Sequence, residues 1–322
     1  MNRVQFVITR VVLSAALVLP SWGQEPIRGP MLGWVWDGHQ ESIRPILGIV
    51  GSSVLGKPLA LDFPVKAAAI ASRQEFALVL ARDERQPVLL DLRGIDPVVR
   101  NLEAPAGAKR LVLSPRATAA ALFFEDPHRI VVLANLDKEP SVARELDLSV
   151  EGAPAGIAVT DDASVVVAAY PDANEARVFD AGGNRWKAPK EAKITDVAFL
   201  ENSRDLLLAA EDGVFVIRDL ADNATVQQLS TIAASGAVAS IDGQNMLLID
   251  KENQSVVALN LESGDSRSVQ CPCDPKKLVR MSRGALFRLN EYDRSALWLV
   301  EINDGGLRTL FVPPDPSDPV EE

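Results

Sequence analysis

The sequence is poor in the side chains that most often carry acid–base or metal chemistry. It has two histidines, His39 and His128, and they fall in different predicted turns. It has no His-Glu-x-x-His motif, no Gly-x-Ser-x-Gly nucleophile turn, no phosphate-binding loop and no Asp-x-Asp-x-Asp-Gly calcium loop. We therefore predict no metal and no cofactor, and we favour a binding protein over an enzyme.

Cysteine is almost absent as well. The two cysteines, Cys271 and Cys273, flank Pro272. Without a nearby histidine they lack the four ligands of a structural zinc site. In an oxidising compartment two such residues form a tight local disulfide. The spacing favours that bridge, or two thiols in a loop, over a redox site.

Clustered positive charge is the third absence. The formal net charge is −11, and no block of lysine and arginine occurs along the chain. Proteins that bind nucleic acid or anionic membranes rely on such blocks to displace counterions from phosphates. Nucleic acid and membrane surfaces are therefore excluded as the main partners.

The amino terminus has the pattern of an export signal. Arg3 and Arg10 supply positive charge, the apolar run Val11–Leu19 follows, Pro20 ends it, and small residues come next. We predict a signal peptide over residues 1–23, cleaved before Gln24, and a secreted or periplasmic product. The apolar run is shorter than the roughly 20 residues of a membrane span, so we expect no stable membrane insertion after cleavage. The alternative is an uncleaved N-terminal anchor.

The rest of the chain repeats. An acid, or the amide of asparagine, closes an apolar run at intervals of 39 to 45 residues, at Asp91, Asn135, Asp180, Asp219, Asn260 and Glu301. Each interval contains short apolar segments separated by polar turns, as in Gly156–Val159, Ser164–Ala169 and Ala176–Phe179. A fourth segment in each interval alternates between apolar and polar residues. Four strands in a period of about 40 to 50 residues are typical of the blades of a β-propeller.

We predict an all-β fold with six four-stranded repeats from Lys66 to Pro314. The N-terminal hairpin Met31–Asp37 and Ser42–Ile49 resembles the third and fourth strands of a repeat, and Val50–Val65 reads as a long connection. The hairpin favours seven blades, one of them short, over six. The predicted domains are the signal peptide, a propeller over 24–314 and an acidic, proline-rich tail over 315–322.

The segment IAVTDDASVVVAAY (157–170), continued by ARVFD (176–180), resembles the repeat of bacterial secreted YVTN-type propellers, which are similar to WD40 repeats. The resemblance covers most of residues 66–314. The glycine–histidine pair of WD40 repeats is missing, and only Trp36-Asp37 matches their tryptophan–aspartate pair. The resemblance implies blades rather than an activity.

Two sets of charges are candidates for a site on one propeller face. Acids occupy the turns between second and third strands, and cations lie where first strands begin, nearer the axis. The candidate ligand-binding residues are Lys66, Lys109, Arg110, Lys193, Lys276 and Lys277, with Glu125, Asp126, Asp172, Glu211 and Asp212 around them. This cationic channel mouth inside an acidic collar would suit a small anionic ligand. The alternative is that both sets are ordinary solvated turn residues.

Trp34 and Trp36 are candidates for anchoring a partner, although packing against a neighbouring blade is favoured. The leading functional hypothesis is an exported, non-catalytic scaffold that binds a protein or peptide through one face. The alternative is a propeller enzyme, similar to lactonases or to quinoprotein-like dehydrogenases, with its site over the central channel.

Overall fold

The computed structural model describes residues 29–316, apart from 95, 241–242, 282–285 and 304–305. The predicted signal peptide, Ile241 at the end of a first strand predicted over 238–241, and residues 317–322 of the predicted tail lie outside the described residues. In the described part of the chain, no helix is long and apolar enough to span a membrane.

Seven antiparallel sheets form the ring of a β-propeller, which confirms the predicted fold and the seven blades. Blade 1 has three strands: β1 (Met31–Asp37), β2 (Ser42–Ile49) and β3 (Ser52–Leu55). Each later blade has four, ordered from the axis to the rim. Blade 2 contains β4 (Val65–Ile70), β5 (Phe76–Ala81), β6 (Val88–Asp91) and β7 (Val98–Asn101). Blade 3 contains β8 (Arg110–Leu113), β9 (Ala120–Glu125), β10 (His128–Ala134) and β11 (Ser141–Asp147). Blade 4 contains β12 (Gly156–Val159), β13 (Val165–Tyr170), β14 (Glu175–Asp180) and β15 (Arg185–Lys187).

Blades 5 to 7 continue the same order. Blade 5 contains β16 (Ile194–Phe199), β17 (Leu206–Ala210), β18 (Gly213–Arg218) and β19 (Thr225–Ser230). Blade 6 contains β20 (Ala234–Ala239), β21 (Asn245–Asp250), β22 (Ser255–Asn260) and β23 (Ser266–Gln270). Blade 7 contains β24 (Val279–Met281), β25 (Leu286–Arg288), β26 (Leu297–Asn303) and β27 (Gly306–Val312). A 3-10 turn, Pro171–Ala173, joins β13 to β14.

The burial of each strand follows from its composition. All six residues of β5 and of β13 are buried, because these apolar second strands lie between two neighbouring blades. All four residues of β7 are exposed at the rim. The described core divides into seven apolar clusters, one between each pair of neighbouring blades, including blades 7 and 1. Burial between blades is therefore what closes the ring.

Blade 1 differs from the predicted arrangement. The turn after β1 meets the start of β4, where the Val65 N–H donates to the Glu41 carbonyl at 2.6 Å. In the middle of β1, the Trp34 N–H donates to Gln74, in the turn that follows β4, at 2.7 Å. β1 therefore runs antiparallel to β4, which is the direction of a second strand.

The other two strands of blade 1 agree with this assignment. β3 lies beside β27, the outer strand of blade 7, so β3 is itself an outer strand. The prediction that the hairpin supplies third and fourth strands was wrong: β1 and β2 take the second and third positions. The outer strand comes from the segment predicted to be a connection. Among the described residues, no strand takes the inner position of blade 1.

A buried ionic cluster joins blade 1 to blade 7 and to the segment that follows it. Arg44 on β2 is 1% exposed and donates to the Gly56 carbonyl at 2.8 Å and to the fully buried Asp37 at 3.2 Å. It also pairs with Asp315 and lies 5.7 Å from the centre of the Tyr292 ring. Residues from both ends of the described chain thus meet at this arginine.

Candidate functional site

The central channel contains a cavity of about 620 Å³. The inner strands of blades 2 to 7 form most of its wall, and Trp34 and Trp36 of β1 line the side where blade 1 has no described inner strand. The wall is apolar near Ile70, Leu111 and Ile157. We call the face that carries the turns between second and third strands the upper face, and the opposite one the lower face.

The cavity is cationic although the protein is acidic. Of the described residues, six lysines and arginines line it, against two acids, Asp196 and Glu291. The cations are Lys109, Arg110, Lys276, Lys277, Arg280 and Arg288. Four of these six belong to the set predicted from the sequence, whereas Lys66 and Lys193 lie outside this lining.

Two of the predicted cations form ion pairs with acids of the upper face. Lys193 lies 2.7 Å from Glu211, and Lys109 lies 2.8 Å from Glu84. The hydrogen bond between Lys109 and Glu84 raises the pKa of the lysine and lowers that of the carboxyl. Three further predicted residues have acidic or basic neighbours: Asp212 lies 2.6 Å from Lys190, Lys276 lies 3.8 Å from Asp274, and Lys277 lies 3.7 Å from Glu291.

The remaining predicted residues are spread around the upper face. Lys66 is half-buried and lies close enough to Glu84 to help lower the pKa of that carboxyl. Glu125, Asp126 and Asp172 are exposed in the turns that leave second strands. Their distribution places negative charge around the mouth of the channel.

Arg110 links blades 3 and 4 at this mouth. Its guanidinium donates to the carbonyls of Pro154 and Ala155 at 2.5 and 3.2 Å and lies 4.5 Å from the centre of the Phe123 ring. Burial lowers the pKa of Arg110. The predicted residue is therefore held in place by blade contacts while its side chain lines the cavity.

Sequence reasoning missed the acid inside the channel. Asp196, on β16, accepts the Val197 N–H at 2.9 Å and the Ala237 N–H at 3.4 Å. Burial raises its pKa to about 6 despite these hydrogen bonds. Ser235 lines the same cavity, and its buried Oγ has no hydrogen-bond partner among the described residues. The sequence feature that could have identified this acid is a lone aspartate within the largely apolar strand Ile194–Phe199.

We expect Asp196→Asn to stabilise the protein at neutral pH and to leave its stability unchanged in acid. The pKa is about 6 in the folded chain against an ordinary 3.8, so the stability due to this carboxyl is complete below 3.8 and lost as the pH rises through 6. The gain at neutral pH should be about 2 to 3 kcal/mol, since one pKa unit corresponds to about 1.4 kcal/mol. Urea unfolding of both proteins across this range measures the effect. A stability difference that does not vary with pH would contradict it.

Two arginines missed by sequence reasoning are also in the cavity wall. Arg280 on β24 pairs with Glu201 and donates to the Ala239 carbonyl at 2.7 Å. Arg288, at the end of β25, lies 2.9 Å from Glu291, and burial lowers its pKa. Each is 8% exposed. Together with Asp196 and Lys277, they concentrate the charge of the channel on the wall formed by blades 5 to 7.

Trp34 and Trp36 pack toward blade 2, as the favoured prediction stated. Both contact the apolar cluster between blades 1 and 2, and Trp34 is 5% exposed. They also line the cavity. The Nε1 atoms of both indoles are buried and have no hydrogen-bond acceptor among the described residues.

The lower face has a second concavity of about 790 Å³ across blades 3 to 5. Asp161 organises it by accepting the main-chain N–H groups of Arg116 and Asn202 at 2.8 and 2.9 Å. The Arg116 side chain donates to the Asn202 side chain at 2.8 Å. Because these polar groups form hydrogen bonds with one another, we interpret the concavity as a result of how the turns pack and not as a ligand site.

The cysteines are joined. Cys271 and Cys273 form a disulfide, which resolves the alternatives left by the sequence, and Cys271 is 4% exposed. Within the described ranges, no group of three or more histidine, cysteine, aspartate or glutamate side chains is placed to hold a metal ion.

No protein-family model and no curated protein matches the sequence. Several solved structures share the fold. A functionally unknown protein from Desulfotomaculum acetoxidans DSM 771 is similar over 88% of this chain and 100% of its own, with a TM-score of 0.58 and 14% identity.

Two enzyme structures are similar as well. Hydrazine synthase of Kuenenia stuttgartiensis matches 92% of this chain and 99% of its own, with a TM-score of 0.52 and 12% identity. A streptogramin B lyase matches 79% of this chain and 86% of its own, with a TM-score of 0.55 and 12% identity. At these identities the likenesses establish a propeller and no activity.

Proposed function

We propose that this propeller is an exported, non-catalytic scaffold that holds a protein or peptide partner at the upper mouth of its central channel. The observation that carries the proposal is the cavity of about 620 Å³, cationic on one wall and apolar on another, in a protein of net charge −11. A volume of this size is typical of ligand pockets. The mixed walls suit a chain segment that carries both carboxylates and apolar side chains.

Location outside the cytoplasm is part of the proposal. It is supported by the N-terminal sequence pattern and by the Cys271–Cys273 disulfide, because disulfides persist in oxidising compartments. Kinship with secreted YVTN-type repeats is likewise proposed, on the residues of 157–180. A small anion at the cationic wall would use the same lining residues.

The test is a crosslinking pull-down from secreted and envelope fractions with protein that begins at Gln24. We expect a specific partner to be enriched, and we expect Lys109→Gln combined with Lys277→Gln to lower its recovery by about tenfold, as loss of two charge-assisted contacts would. Lys138→Gln, an exposed lysine on the lower face, is the control and should leave recovery unchanged. Equal recovery on an unrelated protein of matched charge would refute the proposal.

Asp196 supports a second candidate, a lactonase-like hydrolase or a quinoprotein-like oxidoreductase. A channel carboxyl whose pKa is about 6 can exchange a proton near neutral pH, and the Ser235 hydroxyl lines the same cavity. Purified protein would be assayed on lactones and esters, and its absorption spectrum recorded for a bound quinone. Turnover abolished by Asp196→Asn would favour this candidate, whereas equal turnover in the variant would remove it.

A further inference from the structure

Among the described residues, the inner edge of β1 pairs with no strand and makes main-chain contacts at Gln74 and Tyr292. On the other side of β2, the carbonyls of Ile43 and Pro45 accept the N–H groups of Leu59 and Gly56. Their partners on β1 are Trp36 and Trp34. In an antiparallel pair, residues alternate between bonding the partner strand and pointing away from it. The main-chain groups of Trp34 and Trp36 therefore point away from β2, toward the channel.

Two contacts already occupy hydrogen-bonding positions along this edge. The side-chain oxygen of Gln74 accepts the Trp34 N–H at 2.7 Å, in the place where a strand would supply a carbonyl. At the upper end, Asp37 forms a single parallel bridge with Tyr292. Between these points, the described residues place no strand against β1. An unpaired edge of this kind is a template for strand addition.

The space beside the edge has the properties of a peptide site. The cavity of about 620 Å³ adjoins it, and the two indole Nε1 atoms that lack acceptors among the described residues belong to Trp34 and Trp36 on its wall. On the adjoining wall, formed by blade 7, are Lys277, Arg280 and Arg288. The edge offers main-chain pairing, and the wall beside it offers positive charge.

We infer that an extended acidic segment of the partner adds to β1 as the inner strand of blade 1. This inference rests on the proposed scaffold function and specifies its partner. The segment would enter from the upper face and run antiparallel to β1, in the direction of the other inner strands. Alternate side chains would face the cationic wall, which favours glutamate or aspartate there, while the main chain pairs with β1.

The test uses fluorescent octapeptides of alternating acidic and apolar residues, together with copies N-methylated at every second residue. N-methylation removes the donors that strand pairing needs and leaves every charge in place. We expect one peptide to bind per protein in fluorescence anisotropy and the methylated copies to bind at least about tenfold more weakly. Lys277→Gln should weaken binding several-fold, and Lys138→Gln should not change it.

A variant of Gln74, whose side chain occupies the edge of β1, provides a second test. Gln74 adopts a φ of 61°, which asparagine tolerates well, and the shorter side chain of Gln74→Asn should release the Trp34 N–H. We expect this variant to bind the peptide more tightly than the wild type.

Other results would refute strand addition, the identity of the added segment or the scaffold function. If the methylated copies bind equally well, charge alone holds the peptide, so strand addition fails while the scaffold function stands. If peptides bind only after residues 317–322 are removed, the edge belongs to the chain's own tail. If the crosslinking pull-down succeeds but no acidic peptide binds, the partner uses another surface. If both fail, the scaffold function fails as well.

Discussion

Replacing Arg44 with methionine should destabilise the protein by about 3 to 5 kcal/mol, the usual cost of removing one partner from a buried ion pair. Arg44 is 1% exposed and Asp37 is fully buried, so the variant leaves the aspartate charge in the interior without its cation. The N–H groups of His39 and Gln40, each 3.0 Å from Asp37, compensate only in part. The variant also loses the contacts with Gly56, Asp315 and Tyr292.

Equilibrium urea unfolding at neutral pH measures this effect. Arg93→Met is the matched control, because Arg93 pairs with Asp91 while 68% of its side chain is exposed, and such pairs contribute little. Adding Asp37→Asn to Arg44→Met should recover part of the loss, since it removes the unpaired charge. Equal midpoints for Arg44→Met and Arg93→Met would show that the buried cluster stabilises the protein no more than an exposed ion pair does.

Phe123→Ala should cost a similar amount, about 3 to 5 kcal/mol, because it opens a cavity between two blades. Phe123 is 1% exposed within the cluster between blades 3 and 4 and stacks on His128 at 6.0 Å. Its ring also lies under Arg110, so the variant should loosen one cation of the channel mouth.

Phe311→Ala makes the same chemical change at a rim position where the ring is 57% exposed. Thermal unfolding followed by circular dichroism should show a large decrease in Tm for Phe123→Ala and a small one for Phe311→Ala. A comparable decrease in both would mean that the packing between blades contributes less than its burial indicates.

The blades could be predicted because their signals are local. The apolar composition of second and third strands such as β13 and β14 predicts that they are buried, and turns recur at each period. The direction of β1 carries no such signal. It depends on contacts of Glu41 with Val65 and of Trp34 with Gln74, which is 40 residues away along the chain.

The candidate site was predictable only in part for a related reason. Lys109 and Lys277 could be placed at the upper mouth because they start inner strands. Their acidic neighbours, Glu84 and Glu291, come from the turns of blades 2 and 7, and those distances depend on how the turns bend. Arg280 and Arg288 lie within short apolar strands, where composition alone predicts core. Their burial with Glu201 and Glu291 is a property of the assembled ring.

The contact between Arg44 and Asp315 has a consequence for biosynthesis. The two residues are separated by 271 positions, so blade 1 is made first and can be completed only when the last residues of blade 7 have been synthesised. Until then the Arg44 guanidinium and the apolar face of Val35 and Ile46 remain open to solvent and to chaperones. A chain that stops before Tyr292 therefore lacks both the aromatic ring and the carboxylate that Arg44 contacts in the folded protein.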